Sequence, residues 1–236
     1  MKINILTLFP GILEGAFKES ILHRAIQKKI LDVNIVNIRD FALDKHHTCD
    51  DAPYGGGPGM VLKTEPIIAA YEGLAETGVT ILLTPQGQSF NHRIAKELSE
   101  KKTLSFICGH YEGIDERVKE LIVDMELSIG DFVTTGGEIP CLVVIDALVR
   151  LIPGVVGNYD SVKEDSFYES ILDYPHYTRP AEFRGVRVPD VLLSGNHAQI
   201  KQWRWKQALK KTMLVRPDIL KKLNMSKEAM KLLEEV

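Results

Sequence analysis

The sequence predicts an α/β protein with a mainly parallel β-sheet, followed by a small, mostly α-helical carboxy-terminal domain. Apolar runs with strand character alternate with helical patterns through the first two thirds of the chain. Two of these runs end in glycine-rich loops, and basic residues concentrate near the carboxyl end. With 236 residues, of which 44% are hydrophobic, the chain can bury one large core and a second, smaller one.

The predicted elements alternate between strand and helix along the chain. Apolar runs with strand character span 2–9, 33–38, 79–84, 104–108 and 123–129. Helical patterns span 13–28, 64–76, 91–101, 114–122 and 138–152. Strands joined by crossover helices pair in parallel, so this order predicts a sheet with helices on both faces.

The predicted helix at 138–152 is apolar almost all round, for example at Ile139, Val143 and Leu148. A helix of this composition must be buried on nearly every side. A monomer of 236 residues can bury it. A symmetric dimer interface explains the same composition more economically.

A polar stretch at 158–164 follows Pro153-Gly154 and is typical of a linker. It predicts a large first domain at 1–157, an interdomain linker at 158–173 and a carboxy-terminal domain at 174–236. The carboxy-terminal domain contains the cluster of basic residues between His197 and Lys222.

Charge is unevenly distributed along the chain. Between His197 and Lys222, eight Lys and Arg residues stand against the single acidic residue Asp218, which gives this segment a charge of +7. Because the whole chain carries a formal net charge of -3, the remainder carries -10. This asymmetry indicates a basic appendage that binds a polyanion, although a solvated helix face explains it about equally well.

The cysteines and the hydropathy pattern predict a cytoplasmic protein. Cys49, Cys108 and Cys141 are odd in number, scattered and without a CxxC spacing, which favours a reducing compartment. No apolar run reaches the length of a membrane span, and the chain starts directly in a strand-like segment without a cleavage-site pattern. We therefore expect neither secretion nor membrane insertion.

The two glycine-rich loops, 109–113 and 130–138, predict a ligand site. Each follows an apolar run, so both lie at the carboxyl edge of the predicted sheet, where glycines let the backbone approach a ligand closely. The following helices offer unpaired N–H groups at their amino ends. The loops alone do not distinguish between a dinucleotide, a phosphate and another nucleotide-like ligand.

A third glycine-rich segment spans 50–60 and contains four glycines between Pro53 and Gly59. It lacks the Gly-Lys-Ser/Thr of a phosphate-binding loop and matches no GxGxxG pattern. The prolines favour a constrained binding loop over a flexible connector. A metal site at the nearby His46, His47 and Cys49 is disfavoured, because adjacent histidines do not easily share one face.

Seven short motifs occur in this order: Tyr54-Gly-Gly-Gly-Pro-Gly-Met60, Cys108-Gly-His-Tyr-Glu-Gly-Ile-Asp-Glu-Arg117, Ser128-Ile-Gly-Asp131, Thr135-Gly-Gly-Glu138, Glu164-Asp-Ser-Phe167, Pro175-His-Tyr-Thr-Arg-Pro180 and Leu193-Ser-Gly-Asn-His197. Together they closely resemble the bacterial tRNA (guanine-N1)-methyltransferases of the SPOUT class. The resemblance covers essentially the whole chain. One departure is His110, where an arginine is common in that family.

The resemblance implies a fold and a cofactor. SPOUT enzymes contain a deep trefoil knot whose loops bind S-adenosylmethionine, and they act as homodimers with an active site shared between the subunits. The implied cofactor-binding residues are Pro85, Tyr111, Glu112, Gly113, Ser128, Ile129, Gly130, Thr135, Gly136 and Gly137. Glu112 is a candidate for the cofactor's amine or a partner of Arg117. Members of the family also depend on Mg²⁺, but the sequence contains no dedicated metal cage.

The resemblance also implies the catalytic residues. Asp165 would remove the proton from N1 of the guanosine at tRNA position 37, and Arg150 would stabilise the charge that develops on O6. Read from the local sequence alone, Ser166 and Glu169 fit a helix capping box with Asp165 beside it. Likewise, Arg150 follows Asp146 by four residues and suits an ordinary ion pair on a helix.

Contacts to tRNA are expected in three places. The segment Tyr174–Pro180 interleaves aromatic and basic residues, including His176 and Arg179, that suit unpaired bases and phosphates. Lys201, Arg204 and Lys210 belong to a basic helix suited to the anticodon stem, while its tryptophans favour packing. Asp50 and Gly59 are candidates for recognising the edges of the guanine base. Ser166 is also expected to contact the tRNA substrate. Two rival functions are a SPOUT enzyme for another RNA site and a non-catalytic RNA-binding protein.

Overall fold

A five-stranded parallel β-sheet lies at the centre of the first unit of the chain. The computed structural model describes residues 1–157, 165–168 and 171–220. The strands of the first unit are β1 (Lys2–Thr7), β2 (Asp32–Asn37), β3 (Asp50–Asp51), β4 (Val61–Leu62), β5 (Val79–Ser89), β6 (Thr103–Cys108) and β7 (Met125–Ser128). The order in the large sheet is β2-β1-β6-β5-β7, and each neighbouring pair is parallel. This confirms the predicted α/β class with a parallel sheet.

The central strands are buried along almost their whole length because helices cover both faces of the sheet. In β1, Ile3, Ile5 and Leu6 are fully buried, and in β6 all six residues are buried. The helices are α1 (Pro10–Phe17), α2 (Ser20–Gln27), α3 (Thr64–Glu72), α4 (His92–Ser99), α5 (Glu116–Ile122) and α6 (Glu138–Val149), with a 3-10 turn at Ile38–Phe41. Apart from the 3-10 turn and the short strands β3 and β4, which were not predicted, strands and helices alternate in the order that the sequence predicts.

The predicted helix at 13–28 is wrong in one respect: it is two helices, α1 and α2. The buried residues explain the break, because Phe17 of α1 and Leu22 of α2 are five positions apart. In a continuous helix that spacing would place the two side chains about 140° apart around the axis. The break, where Ser20 has a φ of 53°, brings both to the core.

Strand β5 is longer than predicted and contains a bulge. Leu83 and Gln88 both pair with Leu127 of β7, so the residues between them leave the ladder. Pro85 lies in this bulge, where its missing N–H costs no ladder hydrogen bond. The sequence marked the start of this strand but not its continuation beyond the bulge.

The expectation that helix 138–152 is buried on nearly every side is wrong for the single chain. Cys141, Val144 and Ile145 are fully buried, but Ile139 is 52% exposed and Val143 is 45% exposed. The helix also ends at Val149, earlier than predicted. An apolar helix face therefore remains open in the isolated chain.

The carboxy-terminal unit combines a small hairpin with helices. The chain divides into the units Met1–Gly157 and Asn158–Val236. The described elements of the second unit are β8 (Glu182–Phe183), β9 (Val186–Arg187), α7 (Asp190–Leu193), α8 (His197–Val215) and α9 (Pro217–Leu220). Of the predicted linker 158–173, residues 158–164 and 169–170 lie outside the described residues.

Helix α8 carries the small core of the second unit. Ala208 and Leu209 pack with Ile171 from the preceding segment, and Tyr174 and Trp205 pack around them. Thr212 joins the segment to the helix, because its hydroxyl accepts from the Leu172 N–H at 2.9 Å and donates to the Ala208 carbonyl at 2.7 Å. No helix within the described ranges is long and apolar enough to cross a membrane.

Asp115 at the start of α5 gives a pH-dependent contribution to stability. Its carboxylate accepts from the backbone N–H of Arg117 at 2.9 Å and from the Arg117 guanidinium at 2.7 Å. The side-chain hydrogen bond from Arg117 is the main reason that the pKa of Asp115 falls to about 2. A carboxyl with a lowered pKa in the folded state stabilises that state above its unfolded pKa and loses this effect as the pH falls.

We therefore expect Asp115→Asn to lower the free energy of unfolding at pH 7, and the difference from the wild type to shrink between about pH 4 and pH 2. Urea unfolding of both proteins at several pH values measures this difference in the free energy of unfolding. Glu14→Gln is the control, because Glu14 forms only an exposed ion pair with Lys18 and such pairs contribute little. A deficit of Asp115→Asn that stays constant with pH would contradict the assignment.

Candidate functional site

A cavity of about 480 Å³ opens beside the bulge of β5 and the carboxyl ends of β6 and β7. This volume lies within the usual range for small-molecule sites, about 300–1,000 Å³. The cavity is lined by all ten residues expected to bind the cofactor: Pro85, Tyr111, Glu112, Gly113, Ser128, Ile129, Gly130, Thr135, Gly136 and Gly137. Three loops that are distant in sequence therefore meet around one space.

The bulge of β5 forms one wall of this cavity and turns Pro85 and Gln86 toward it. Gly87 closes the bulge against β7. A Cβ atom on Gly87 would lie 2.5 Å from the carbonyl carbon of Glu126, so a side chain there would collide with the neighbouring backbone. The bulge and its glycine thus fix where Pro85 stands.

The loop after β6 forms a tight turn on the second wall. Tyr111 has a φ of 57° and Gly113 a φ of 132°, both in the left-handed region. The N–H of Gly113 donates to the His110 carbonyl at 3.0 Å, which closes the turn. Tyr111 is 46% exposed beside the cavity and is available to a ligand.

The loop after β7 returns to β6 and completes the cavity. The N–H of Gly137 donates to the Gly109 carbonyl at 2.8 Å, and His110 pairs with Gly136 in an antiparallel bridge. A Cβ atom on Gly137 would lie 2.7 Å from the Cα of Cys108. Two backbones touch here directly, although β5 separates β6 from β7 in the sheet.

A buried polar group beneath these loops was not predicted from the sequence. The carboxylate of Glu138 is 2% exposed and accepts from the Thr7 hydroxyl at 2.6 Å. The Nδ1 of His110 is also buried and has no hydrogen-bond partner among the described residues. A signal was present, because Glu138 directly follows the Gly136-Gly137 pair and His110 lies inside the glycine-rich loop 109–113.

Lys119 is a second residue that sequence reasoning missed. It lines the cavity, and its Nζ lies 3.1 Å from carboxylate oxygens of both Glu116 and Glu126 and 3.4 Å from Oε1 of Gln86. Burial lowers the pKa of Lys119, but the hydrogen bonds to the two carboxylates outweigh burial and raise that pKa above its ordinary value. Lys119 therefore stays charged and ties α5 to β5 and β7.

The glycine-rich segment 50–60 is the loop of a short hairpin formed by β3 and β4. Asp50 pairs with Leu62 in this hairpin. The hairpin attaches to the loop after β6, because the N–H of Glu112 donates to the Met60 carbonyl at 3.0 Å. Gly59 lies against the Glu112 side chain, which occupies the space where a Cβ atom would stand. Gly59 is thus brought next to the predicted cofactor loop.

The two predicted catalytic residues belong to different units. Arg150 directly follows α6 and is half-buried in the first unit. Asp165 belongs to the second unit, in a turn where the Tyr168 N–H donates to its carbonyl at 3.3 Å. The hydroxyl of Ser166 accepts from the Asp173 N–H at 2.9 Å. Glu169, the other member of the possible capping box, lies outside the described residues.

The predicted RNA-binding residues of the second unit gather on one side of α8. His176, Arg179 and Arg204 line a second cavity of about 390 Å³. Lys201 is exposed on α8 near its amino end and does not line this cavity. The structure thus brings together three of the five predicted basic or histidine side chains of this unit; Lys210, like Lys201, does not line the cavity.

Comparison with known proteins gives one family. Residues 1–222 match the family described as tRNA (Guanine-1)-methyltransferase TrmD. A protein of Carboxydothermus hydrogenoformans is 57% identical over 229 residues, which cover 97% of this chain and 90% of that protein. Proteins of Dictyoglomus turgidum and of Geobacter sp. strain M21 are each 54% identical, over all of this chain and 96% of each relative. All three are named tRNA (guanine-N(1)-)-methyltransferase.

The backbone contact at Gly137 gives a direct test of how the cavity is held together. We expect Gly137→Ala to lower the free energy of unfolding by about 1–3 kcal/mol, because the added methyl group overpacks the Cys108 backbone. Thermal or urea unfolding measures it. Gly11→Ala in α1 is the matched control, because a Cβ atom on Gly11 meets nothing within 4 Å. Equal stability of the two variants would show that the contact is not needed.

Proposed function

The chain belongs to the tRNA (guanine-1)-methyltransferase family, and from this premise we propose that its target is the guanosine at tRNA position 37, next to the anticodon. As a member, it is a methyltransferase that uses S-adenosylmethionine to modify N1 of guanine in tRNA. The observation that supports methyl transfer is the cavity beside the β5 bulge and the carboxyl ends of β6 and β7, which is lined by every residue expected to bind the cofactor.

The residues around this cavity fit S-adenosylmethionine. Gly136 and Gly137 leave no room for a side chain, because Cβ atoms there would meet Glu138, His110 or the Cys108 backbone. The backbone of this loop is therefore held against the loop after β6, at the cavity that both loops line. Glu112 supplies a carboxylate for the cofactor's amine, and Tyr111 supplies an exposed ring. Pro85 and Ile129 add apolar contacts on the other walls.

Asp165 and Arg150 carry the proposed chemistry. When bound, S-adenosylmethionine supplies an electrophilic methyl group whose leaving thioether is neutral, so the reaction needs no acid at the leaving group. Asp165 removes the proton of guanine N1, and general-base help of this kind contributes roughly 10²- to 10⁴-fold. Arg150 donates to O6 as negative charge moves onto it, and loss of one such donor costs about 10²- to 10³-fold.

A trefoil knot in the first unit is part of the proposal. It is supported by the path of the chain after β7, which returns across the edge of β5 to touch Gly109 and His110. Helix α6 then packs against α4, α1 and β6, and β5 separates β6 from β7 in the sheet. Such a return is what threading the chain through an earlier loop requires.

The exposed face of α6 supports a homodimer with shared active sites. Ile139, Val143, Asp146 and Arg150 are spaced by four, three and four residues, so they lie along one helix face. The two apolar members are about half exposed, and Val133 nearby in sequence is 83% exposed. Covering this face with a second copy buries the apolar residues and brings Arg150 to the interface, where it meets the partner subunit's Asp165.

The tRNA would contact residues of both units. Asp50 and Gly59 on the hairpin read the guanine, since Gly59 borders the cofactor loop at Glu112. The remaining proposed substrate contacts are Ser166, His176, Arg179, Lys201 and Arg204. In this assignment, residues 1–157 form the knotted catalytic domain, 158–173 the interdomain linker and 174–236 the tRNA-binding domain.

We assign no Mg²⁺ site. Within the described ranges, no group of three or more His, Cys, Asp or Glu side chains is arranged to hold a metal ion. An ion that the family requires would then bridge substrate oxygens rather than occupy a cage of protein side chains.

The test of the target site is a methyl-transfer assay with labelled S-adenosylmethionine and unmodified tRNA transcripts. We expect incorporation into a transcript with guanosine at position 37 and none when adenosine replaces it. Incorporation independent of that guanosine would point to another RNA site. Binding without any incorporation would indicate a non-catalytic RNA-binding protein.

The role of Asp165 predicts a specific kinetic defect. Asp165→Asn keeps the shape of the side chain but removes the base, so single-turnover methyl transfer should fall by at least about 10²-fold. Cofactor binding and tRNA affinity should stay within a few fold of the wild type. An unchanged single-turnover rate would remove Asp165 from the mechanism.

The shared active site predicts rescue between two inactive variants. Arg150→Ala and Asp165→Asn are each expected to be inactive, but a mixed dimer contains one site with both residues intact. After the two proteins are mixed and allowed to exchange subunits, we expect roughly a quarter of the wild-type activity. The control is each variant mixed with itself. No recovery, with subunit exchange shown by mass spectrometry of tagged chains, would place both residues in one subunit's site.

A further inference from the structure

The second cavity, of about 390 Å³, lies within the carboxy-terminal unit and is lined by flat and basic side chains. We call it the α8 cavity. The residues that matter for its chemistry are Tyr174, His176, Tyr177, Arg179, Ile200 and Arg204. Its volume suits one small organic ligand.

Arg204 is the central polar group of the α8 cavity. Its guanidinium carbon lies 4.7 Å from the centre of the Tyr174 ring, in cation–π contact. Its Nε is buried and has no hydrogen-bond partner among the described residues. Buried donors of a charged group are normally satisfied, so this N–H calls for an acceptor from a ligand.

The flat groups of the cavity are held in place. The His176 ring lies 4.7 Å from the Tyr174 ring, and its Nε2 lies 2.8 Å from Oδ2 of Asp173. Tyr174 also packs on the core formed by Ile171 and Leu209. Contacts with His176, Arg204 and this core therefore hold Tyr174 in place and keep its ring from collapsing into the cavity.

The rest of the lining combines apolar and basic side chains. Ile200 and Leu192 are half-buried and provide an apolar floor. Arg179 is exposed at the cavity and brings a positive charge. A ligand that matches has a flat apolar body, a hydrogen-bond acceptor on its edge and a negative charge. An unpaired nucleotide has all three features.

We propose that the α8 cavity holds one unpaired nucleotide of the tRNA other than the methylated guanosine. This inference rests on the proposed function, because it takes the target guanosine to be at the cofactor cavity of the first unit. The base stacks on the flat groups around Tyr174, Arg204 donates to its edge, and Arg179 pairs with phosphate. In this proposal the second unit binds one extruded nucleotide in the α8 cavity, and its basic residues also contact the phosphates of the anticodon stem.

A set of transcripts, each with a single abasic nucleotide in the anticodon loop, tests the α8 cavity. Stacking of one base contributes about 1–3 kcal/mol, or roughly 5- to 100-fold in affinity. We expect one position besides 37 at which base removal weakens wild-type binding by such a factor. With Tyr174→Leu that penalty should disappear, because the base and the ring act as one pair.

Lys210→Gln is the matched control, because Lys210 is exposed on α8 and does not line the cavity. Lys210→Gln should weaken the binding of all transcripts by the same factor. It should keep the extra loss of affinity that base removal causes at the one sensitive position. Arg204→Lys serves as a second variant, since it keeps the charge but removes the planar group and the Nε donor. It should reduce the same penalty even if Tyr174→Leu folds poorly.

Fluorescence of 2-aminopurine at the sensitive position provides a separate readout. We expect quenching on binding to the wild type and less quenching with Arg204→Lys. Penalties that add independently at every loop position would overturn the α8 cavity as a nucleotide site, while methyl transfer to guanosine 37 still proceeds. Loss of methyl transfer by the wild type would instead overturn the proposed function.

Discussion

The arrangement of the first unit depends on one close contact between two backbones. The chain leaves β7, returns past the edge of β5 and donates from the Gly137 N–H to the Gly109 carbonyl at 2.8 Å. This approach is possible only without a side chain, because a Cβ atom on Gly137 would collide with the Cys108 Cα. The contact joins the loops after β6 and β7, and so encloses the cavity between them. It also sets the start of α6 and therefore the face on which Arg150 lies.

The same contact explains why a carboxylate is buried at this point. Glu138 begins α6 directly after the glycine pair, so its side chain enters the interior beside β1. There it accepts from the Thr7 hydroxyl, and the His110 Nδ1 lies buried nearby. A polar group is tolerated here because the amino end of a helix favours negative charge. The hydrogen bond from Thr7 to Glu138 thus links β1 to the start of α6.

Much of this could be predicted from the sequence, and the failures have identifiable causes. The strands were predictable because both faces of a parallel sheet are covered, so apolar runs mark them. The loops were predictable because glycine clusters follow two of those runs. The bulge in β5 was not, since it depends on how Leu83 and Gln88 share Leu127 across strands. The break before Ser20 and the exposed Ile139 were missed because composition does not reveal which helix face meets the sheet.

The two cavities suggest how specificity and chemistry are divided along the chain. Methyl transfer to N1 needs a donor site, a base and one stabilising cation, and none of these distinguishes one RNA guanosine from another. Selection therefore has to come from contacts made away from the reacting atoms. The acidic first unit contributes little attraction for a polyanion, whereas the segment from His197 to Lys222 is strongly basic. Charge alone attracts any RNA, so selection of one loop requires contacts that depend on shape. In our proposal the α8 cavity provides such a contact, where Arg204 lies over the Tyr174 ring.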